Sequence, residues 1–145
     1  FGNRKLKAYV SVKTLDKLVA SGGSDVFIEN ELSATRLTLT LSGGSDFRGK
    51  VVVGELIISA SGGSDAYISG KAEKLSIHAS GGSDVHGFEL ISNTCSIESS
   101  GGSDVRITAN KELRANASGG SDVYYKGSAS SNTSKSGGGS VKKVE

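Results

Sequence analysis

The chain contains no proline, methionine or tryptophan, one cysteine, and only four tyrosines and four phenylalanines in 145 residues. A thick globular core packed by large side chains is therefore not expected, and what core there is must be thin and aliphatic. The lone Cys95 excludes an intrachain disulfide framework and leaves the redox compartment open. No stretch approaches the roughly 18 apolar residues of a membrane-spanning helix, and no signal peptide is visible. The start at Phe1 rather than methionine leads us to expect that further sequence precedes it in the intact protein. Charge of one sign is also lacking. Seventeen basic residues offset fifteen acidic ones for a net +2, which does not make the footprint of a nucleic-acid binder. Only Arg4-Lys5-Leu6-Lys7 and Val141-Lys142-Lys143-Val144-Glu145 are locally basic, and such short ends are ordinarily just solvated.

What the chain has in excess is glycine, 21 residues, and these fall in clusters, which means repeated turns. The pentapeptide Ser-Gly-Gly-Ser-Asp occupies 21–25, 42–46, 61–65, 80–84, 100–104 and 118–122, and a degenerate Ser-Gly-Gly-Gly-Ser occupies 136–140. The successive intervals of 21, 19, 19, 20, 18 and 18 residues fit coils whose corners stay in register while their sides vary in length. One unit of 1–145 is the natural division at this size.

The flanks of the turns alternate with period 2, the pattern of strands with one buried face. The position before each turn holds Ala20, Leu41, Ala60, Ala79, Ser99 and Ala117, and the one two residues earlier holds Leu18, Leu39, Ile58, Ile77, Ile97 and Ala115. A further step of two gives Asp16, Leu37, Leu56, Leu75, Cys95 and Leu113. After the turn come Val26, Phe47, Ala66, Val85, Val105, Val123 and Val141, followed in three coils by Ile28, Ile68 and Ile107. Each coil thus predicts a strand into the turn, a strand out of it and a variable third side such as 69–74. A coil of this kind cannot bury its own apolar face, so successive coils must stack, about 4.8 Å apart, in parallel and in register. The fold class predicted is all-β: a right-handed, single-stranded parallel β-helix, or β-solenoid, of about seven coils of 18–21 residues. Paired glycines allow the positive φ of a sharp corner, the small serines allow corners to approach, and the aspartate is placed to accept from turn amides.

The run Ala117-Ser118-Gly119-Gly120-Ser121-Asp122-Val123-Tyr124-Tyr125-Lys126-Gly127, followed by Ser136-Gly137-Gly138-Gly139-Ser140-Val141, resembles the ending of the bacterial auto-transporter adhesin family, also called the head GIN domain family and common in Bacteroidetes. The resemblance covers nearly the whole chain. It implies a β-helix exported to the periplasm, the outer-membrane surface or the extracellular space, an adhesin-like role, and no catalytic residues or cofactor to carry over. The turn here reads S-G-G-S-D where the family often has G-S-G-D, and family members are often longer, with a further β-rich part before the helix.

Two columns of side chains are candidates for chemistry. The turn aspartates Asp25, Asp46, Asp65, Asp84, Asp104 and Asp122 should stack, where like charges repel unless screened or bridged. Calcium would bridge them, but one carboxylate per coil supplies few of the six to eight oxygens it takes, and calcium-binding Gly-Asp repeats have a period of about nine residues. A turn cap is the preferred reading, and no metal or cofactor is expected. The second column points outward one residue after the valine position: Phe27, Arg48, Tyr67, His86, Arg106, Tyr124 and Lys142. Such a row either packs on itself to cover the sheet or presents aromatic and basic groups to a glycan or a surface protein. It is the candidate binding face.

Parallel β-helices also include polysaccharide lyases and hydrolases, so a fragment of a carbohydrate-active enzyme is the alternative. Such enzymes need convergent carboxylates or a base in a cleft made by long loops, and these coils are near minimal. His78 and His86 have no evident nucleophile beside them, Cys95 stands at an inward position as a small hydrophobe, and a regular Thr-x-Thr ice-binding array occurs only at Thr38-Leu39-Thr40. The residues favour a non-catalytic, adhesin-like module that binds a glycan or a surface protein. With no cap evident at Phe1, self-association through the solenoid ends is a further expectation.

Overall fold

The computed structural model describes residues 6–10, by backbone path only, together with 17–28 and 31–144. Asp16, the Arg4-Lys5 pair and Phe1 therefore lie outside the described residues. Eleven strands follow the chain in order: β1 (Leu6–Val10), β2 (Lys17–Ala20), β3 (Ser24–Ile28), β4 (Leu32–Leu41), β5 (Asp46–Ala60), β6 (Asp65–Ala79), β7 (Asp84–Ser99), β8 (Asp104–Ala117), β9 (Asp122–Lys126), β10 (Ser130–Lys135) and β11 (Ser140–Lys143). All belong to one sheet, with β1-β3-β5-β6-β7-β8-β9-β11 as its main path, β2 and β4 joined to it through β5, and β10 through β8. Each strand pairs in parallel with the equivalent strand of the next coil. This is the parallel β-solenoid the repeat predicts, and no described residue is helical. No helix among the described residues is long and apolar enough to cross a membrane.

The register carries the inward positions onto one another, for example Leu37↔Leu56↔Leu75↔Cys95↔Leu113 and Val26↔Phe47↔Ala66↔Val85↔Val105↔Val123. These side chains are buried and fuse into one continuous core that runs the length of the rod. A one-residue slip would turn every one of them outward, so the period-2 pattern specifies the register strongly.

The third side is more regular than its sequence indicates. In β5–β8 the outgoing wall, the third side and the incoming wall form a single bent strand of 14 to 16 residues. That side lines the core too, through Leu32 at the start of β4 and through Val51, Val53, Ala72, Leu90 and Ala109 in β5–β8. The varied residues of that side are its outward ones, which is why the inward pattern is hard to see in a single coil.

At the corners the second serine of the pentapeptide is the buried polar group. Ser45, Ser64, Ser83, Ser103 and Ser121 are fully enclosed, and each hydroxyl donates to the carbonyl that precedes the previous coil's turn, as Ser83 does to Ala60 at 3.1 Å and Ser121 to Ser99 at 2.9 Å. Several also donate within their own turn, Ser103 to Ser100 at 2.8 Å. These bonds give a second donor to carbonyls that already accept the N–H of the first serine of the next turn, as Ala60 does from Ser80 at 2.9 Å, and so tie coil to coil a second time. In the turns at 22–23, 43–44 and 62–63 both glycines have positive φ, whereas from Gly81 onward only the first does. The central peptide is accordingly turned over: Gly44 N–H donates to Gly62 of the following coil, and Gly102 N–H donates to Gly81 of the preceding one. One tetrapeptide thus serves two turn types, which only glycine at both central positions permits.

Candidate binding face

The outward column is assembled as the spacing predicts, with Phe27↔Arg48↔Tyr67↔His86↔Arg106↔Tyr124↔Lys142 in direct register. The side chains lean on one another along the rod. The Arg48 guanidinium lies 4.1 Å over the Tyr67 ring, and Tyr67 stacks on His86 with centroids 4.4 Å apart and planes 4° from parallel. Arg106 stands 5.2 Å over Tyr124. Both faces of Tyr67 are therefore taken by its column neighbours, and what it shows to solvent is its edge. The geometry fits the self-packing expected of a parallel sheet, and it removes Tyr67 as a flat platform while leaving cations and ring edges exposed.

Beside this column the wall is built by Phe88, a residue the repeat alone did not single out. Between Tyr67 and Gly70 the pairing of β6 with β7 slips by one residue, and between Gly87 and Ile91 β7 carries extra residues against β8. The bulge lifts Phe88 and Glu89 away from the sheet while Leu90 returns to the core. Phe88 borders two adjoining open clefts, one of about 440 Å³ floored by Gly49 and Ile68 and bounded by Arg48, His86 and Arg106, the other of about 410 Å³ bounded by Arg106, Tyr124, Lys126 and Val144. The Lys126 ammonium lies 4.6 Å from the Phe88 ring centroid. The only sequence trace of this feature is the 20-residue interval between Ser80 and Ser100, one longer than the two before it.

The aspartates stack in register as well, Asp25↔Asp46↔Asp65↔Asp84↔Asp104↔Asp122, ending on Ser140, whose hydroxyl donates to Asp122 Oδ1 at 2.6 Å. Partial burial first, and then the Asp84 charge, push the Asp65 carboxyl above its ordinary value against the pull of His86 and Arg48. Asp104 is raised in the same way, by burial and then by Asp84 and Asp122, with Arg106 and His86 opposing. Among the described residues no three His, Cys, Asp or Glu side chains converge on a point that would hold a metal ion. The turn-closing side chain shown at the corners is the serine: Ser42 N–H donates to Ser45 Oγ at 3.1 Å, and Ser118 N–H to Ser121 Oγ at 3.0 Å.

The remaining candidates separate. His78 lies on the other wall, exposed, with Nδ1 3.1 Å from Glu98 Oε2, in a column apart from His86. Cys95 is buried in the inward row, and burial pushes its thiol up to about 12, so it packs as a hydrophobe. Neither joins the face.

The fold and this wall define the class of protein: a parallel β-solenoid whose coils are tied by enclosed serines and whose one wall carries a column of cations and ring edges. The chain belongs to the family described as "Putative auto-transporter adhesin, head GIN domain", whose sequence pattern matches residues 1–129. Among solved structures it is similar to a putative adhesin of Bacteroides fragilis, at 26% identity and a TM-score of 0.86 over 90% of this chain and 61% of that one. It is also similar to a putative adhesin of Parabacteroides distasonis, at 22% identity and a TM-score of 0.85 over 98% of this chain and 58% of that one. A putative lipid binding protein of the same organism shares the fold at 20% identity and a TM-score of 0.84, over 97% of this chain and 56% of that one. The chain thus spans about six tenths of the length of the solved proteins it matches. No curated protein sequence is significantly similar to it.

Proposed function

We propose that the chain is a non-catalytic, exported adhesive module that binds a glycan or a surface protein along its outward column. The observation that carries this reading is the wall from Arg48 to Tyr124, where cations and ring edges border two contiguous clefts on an otherwise regular rod. Family membership supports an adhesin-like role and export to the cell surface. The alternative of a carbohydrate-active enzyme fragment is less favoured: glycoside hydrolysis uses two carboxyl groups about 5 to 9.5 Å apart across the bond to be cut, and the two clefts of this wall carry one carboxylate, Glu89, while the neighbouring cleft of about 580 Å³ pairs Glu89 and Glu31 with Lys50 and Lys71, and Lys50 Nζ lies 3.4 Å from Glu31 Oε2.

The test is a glycan-array measurement on the purified chain, with and without Ca²⁺, comparing wild type with a Tyr67→Ala, Arg106→Ala, Tyr124→Ala variant. Binding that is lost in the variant and indifferent to calcium is the expected result. Binding that requires calcium would move the site to the aspartate column. Release of reducing ends or unsaturated products from any bound polymer would favour the enzyme reading instead.

A further inference from the structure

The two clefts meet at Phe88 and Arg106, so together they form a groove that runs along the solenoid axis rather than along the strands. Its first bank is the outward column. Its second bank is the next outward row, which carries Ser69, the bulged Phe88 and Lys126. Arg48 and Arg106 are three rungs apart and Lys126 lies one rung beyond Arg106, so the cations span about 19 Å at about 4.8 Å per rung. The aspartates border neither cleft. Glu89 is the one carboxylate on the rim.

From this placement, and resting on the reading of this wall as the binding face, we infer that the ligand is an extended anionic polysaccharide bearing carboxylates, laid along the rod from Arg48 to Lys126 with Phe88 as the wedge that separates the two halves of the groove. Guanidinium groups pair with carboxylates through two parallel hydrogen bonds, and the Glu89 carboxylate and the hydroxyl of Ser69 offer partners for sugar hydroxyls. Charge density and ring geometry select against nucleic acid. A nucleic-acid strand carries one charge per about 3.4 Å, roughly twice the density of three fixed cations over about 19 Å. Single-strand binders also need open aromatic faces on which bases stack, whereas both faces of Tyr67 are covered.

The experiment measures binding of the whole chain to a polyuronate, to the neutral polymer dextran, to dextran sulfate and to oligo-dT, at low and high salt. It is repeated with Arg48→Gln, Arg106→Gln, Lys126→Gln and Phe88→Ala, each checked for an unchanged β-sheet circular dichroism spectrum. The inference expects polyuronate binding that weakens at least about tenfold between 50 and 200 mM salt and falls at least about tenfold in either arginine variant. A uronate disaccharide, too short to span the groove, should be sensitive to Arg48→Gln or to Lys126→Gln but not to both. Dextran binding that survives both arginine variants and is lost in Phe88→Ala would overturn the anionic ligand while leaving the face in place. Equal or tighter binding of dextran sulfate or oligo-dT would overturn the carboxylate class. Polyuronate binding unchanged in every variant would place the polymer elsewhere, and no binding of any polymer would overturn the inference outright.

Discussion

At the scale of single residues, the enclosed serines carry a burden that a polar residue in an aliphatic stack ordinarily does not. Ser103 shows it most fully: its one O–H is shared between the Ser100 carbonyl at 2.8 Å and the Ala79 carbonyl at 3.2 Å, and its Oγ lies 2.6 Å from the Ser99 hydroxyl. Removing it leaves the Ala79 carbonyl satisfied by Ser100 N–H but orphans the Ser99 hydroxyl, so Ser103→Ala should cost about 1 to 3 kcal/mol. Ser100→Ala in the same turn, whose side chain is half-buried rather than enclosed, should stay within about 0.5 kcal/mol. Urea denaturation of the two variants decides the point, and equal losses would mean that the enclosed hydroxyl and its Ser99 partner contribute nothing net. The sequence shows both serines of the pentapeptide with equal regularity, so nothing in it tells the stapling one from the solvated one. The distinction comes from which side of the corner faces the core, and that depends on turn geometry.

At the scale of elements, the corner opposite the pentapeptide is the least forgiving part of a coil. Gly70 has φ of +114°, and a Cβ there would run into the Val51 carbonyl of the coil below. Gly70→Ala should therefore cost at least about 3 kcal/mol. Gly82 has open space around its Cβ position and no positive φ, so Gly82→Ala should be neutral or stabilising by up to about 1 kcal/mol. Comparable thermal midpoints for the two variants would contradict this account.

The aspartate column makes a second prediction at the same scale. Asp65 and Asp104 have native values above the ordinary 3.8, so over that window the native state holds protons that the unfolded chain has already released. For these two groups stability is greatest at acid pH and falls as pH rises through the raised native values. The Asp65→Asn, Asp104→Asn double variant should gain in denaturation midpoint relative to wild type at pH 7 and lose that gain near pH 4. A difference independent of pH would remove the ionisation of these two carboxylates, opposed first by burial and then by like charge, as the cause. The stacking of these carboxylates was legible from the spacing alone, because a parallel in-register sheet places identical positions over one another. The Phe88 bulge was not, because one extra residue in a coil of variable length does not say which side of the coil absorbs it.

At the scale of the molecule, the apolar row that holds the rod together is broken in the coil of β9 and β10. Ser131, Thr133 and Lys135 stand in register with Leu113, Ala115 and Ala117, positions that in the preceding coils belong to the core. Tyr125 fills the interior just beneath them and its hydroxyl lies 3.2 Å from Ser131 Oγ, so the last aromatic of the core meets a polar layer. An inward charge at the edge of a sheet is a known device against edge-to-edge pairing, and Lys135, exposed but in register with the buried Ala117, stands where such a charge would act. End-to-end association through this coil would bury the Lys135 ammonium against an aliphatic stack without a counter-charge, a cost of several kcal/mol. For this chain, the polar layer is therefore expected to disfavour association through this coil. Restoring the ladder with Ser131→Leu, Thr133→Ile and Lys135→Ala should convert the chain to end-to-end dimers or longer rods in light scattering at concentrations where the wild type shows none through this end. If the triple variant scatters as the wild type does, the polar layer is not what holds the end apart, and the edge strands themselves, β10 and β11, must be too irregular to accept a partner.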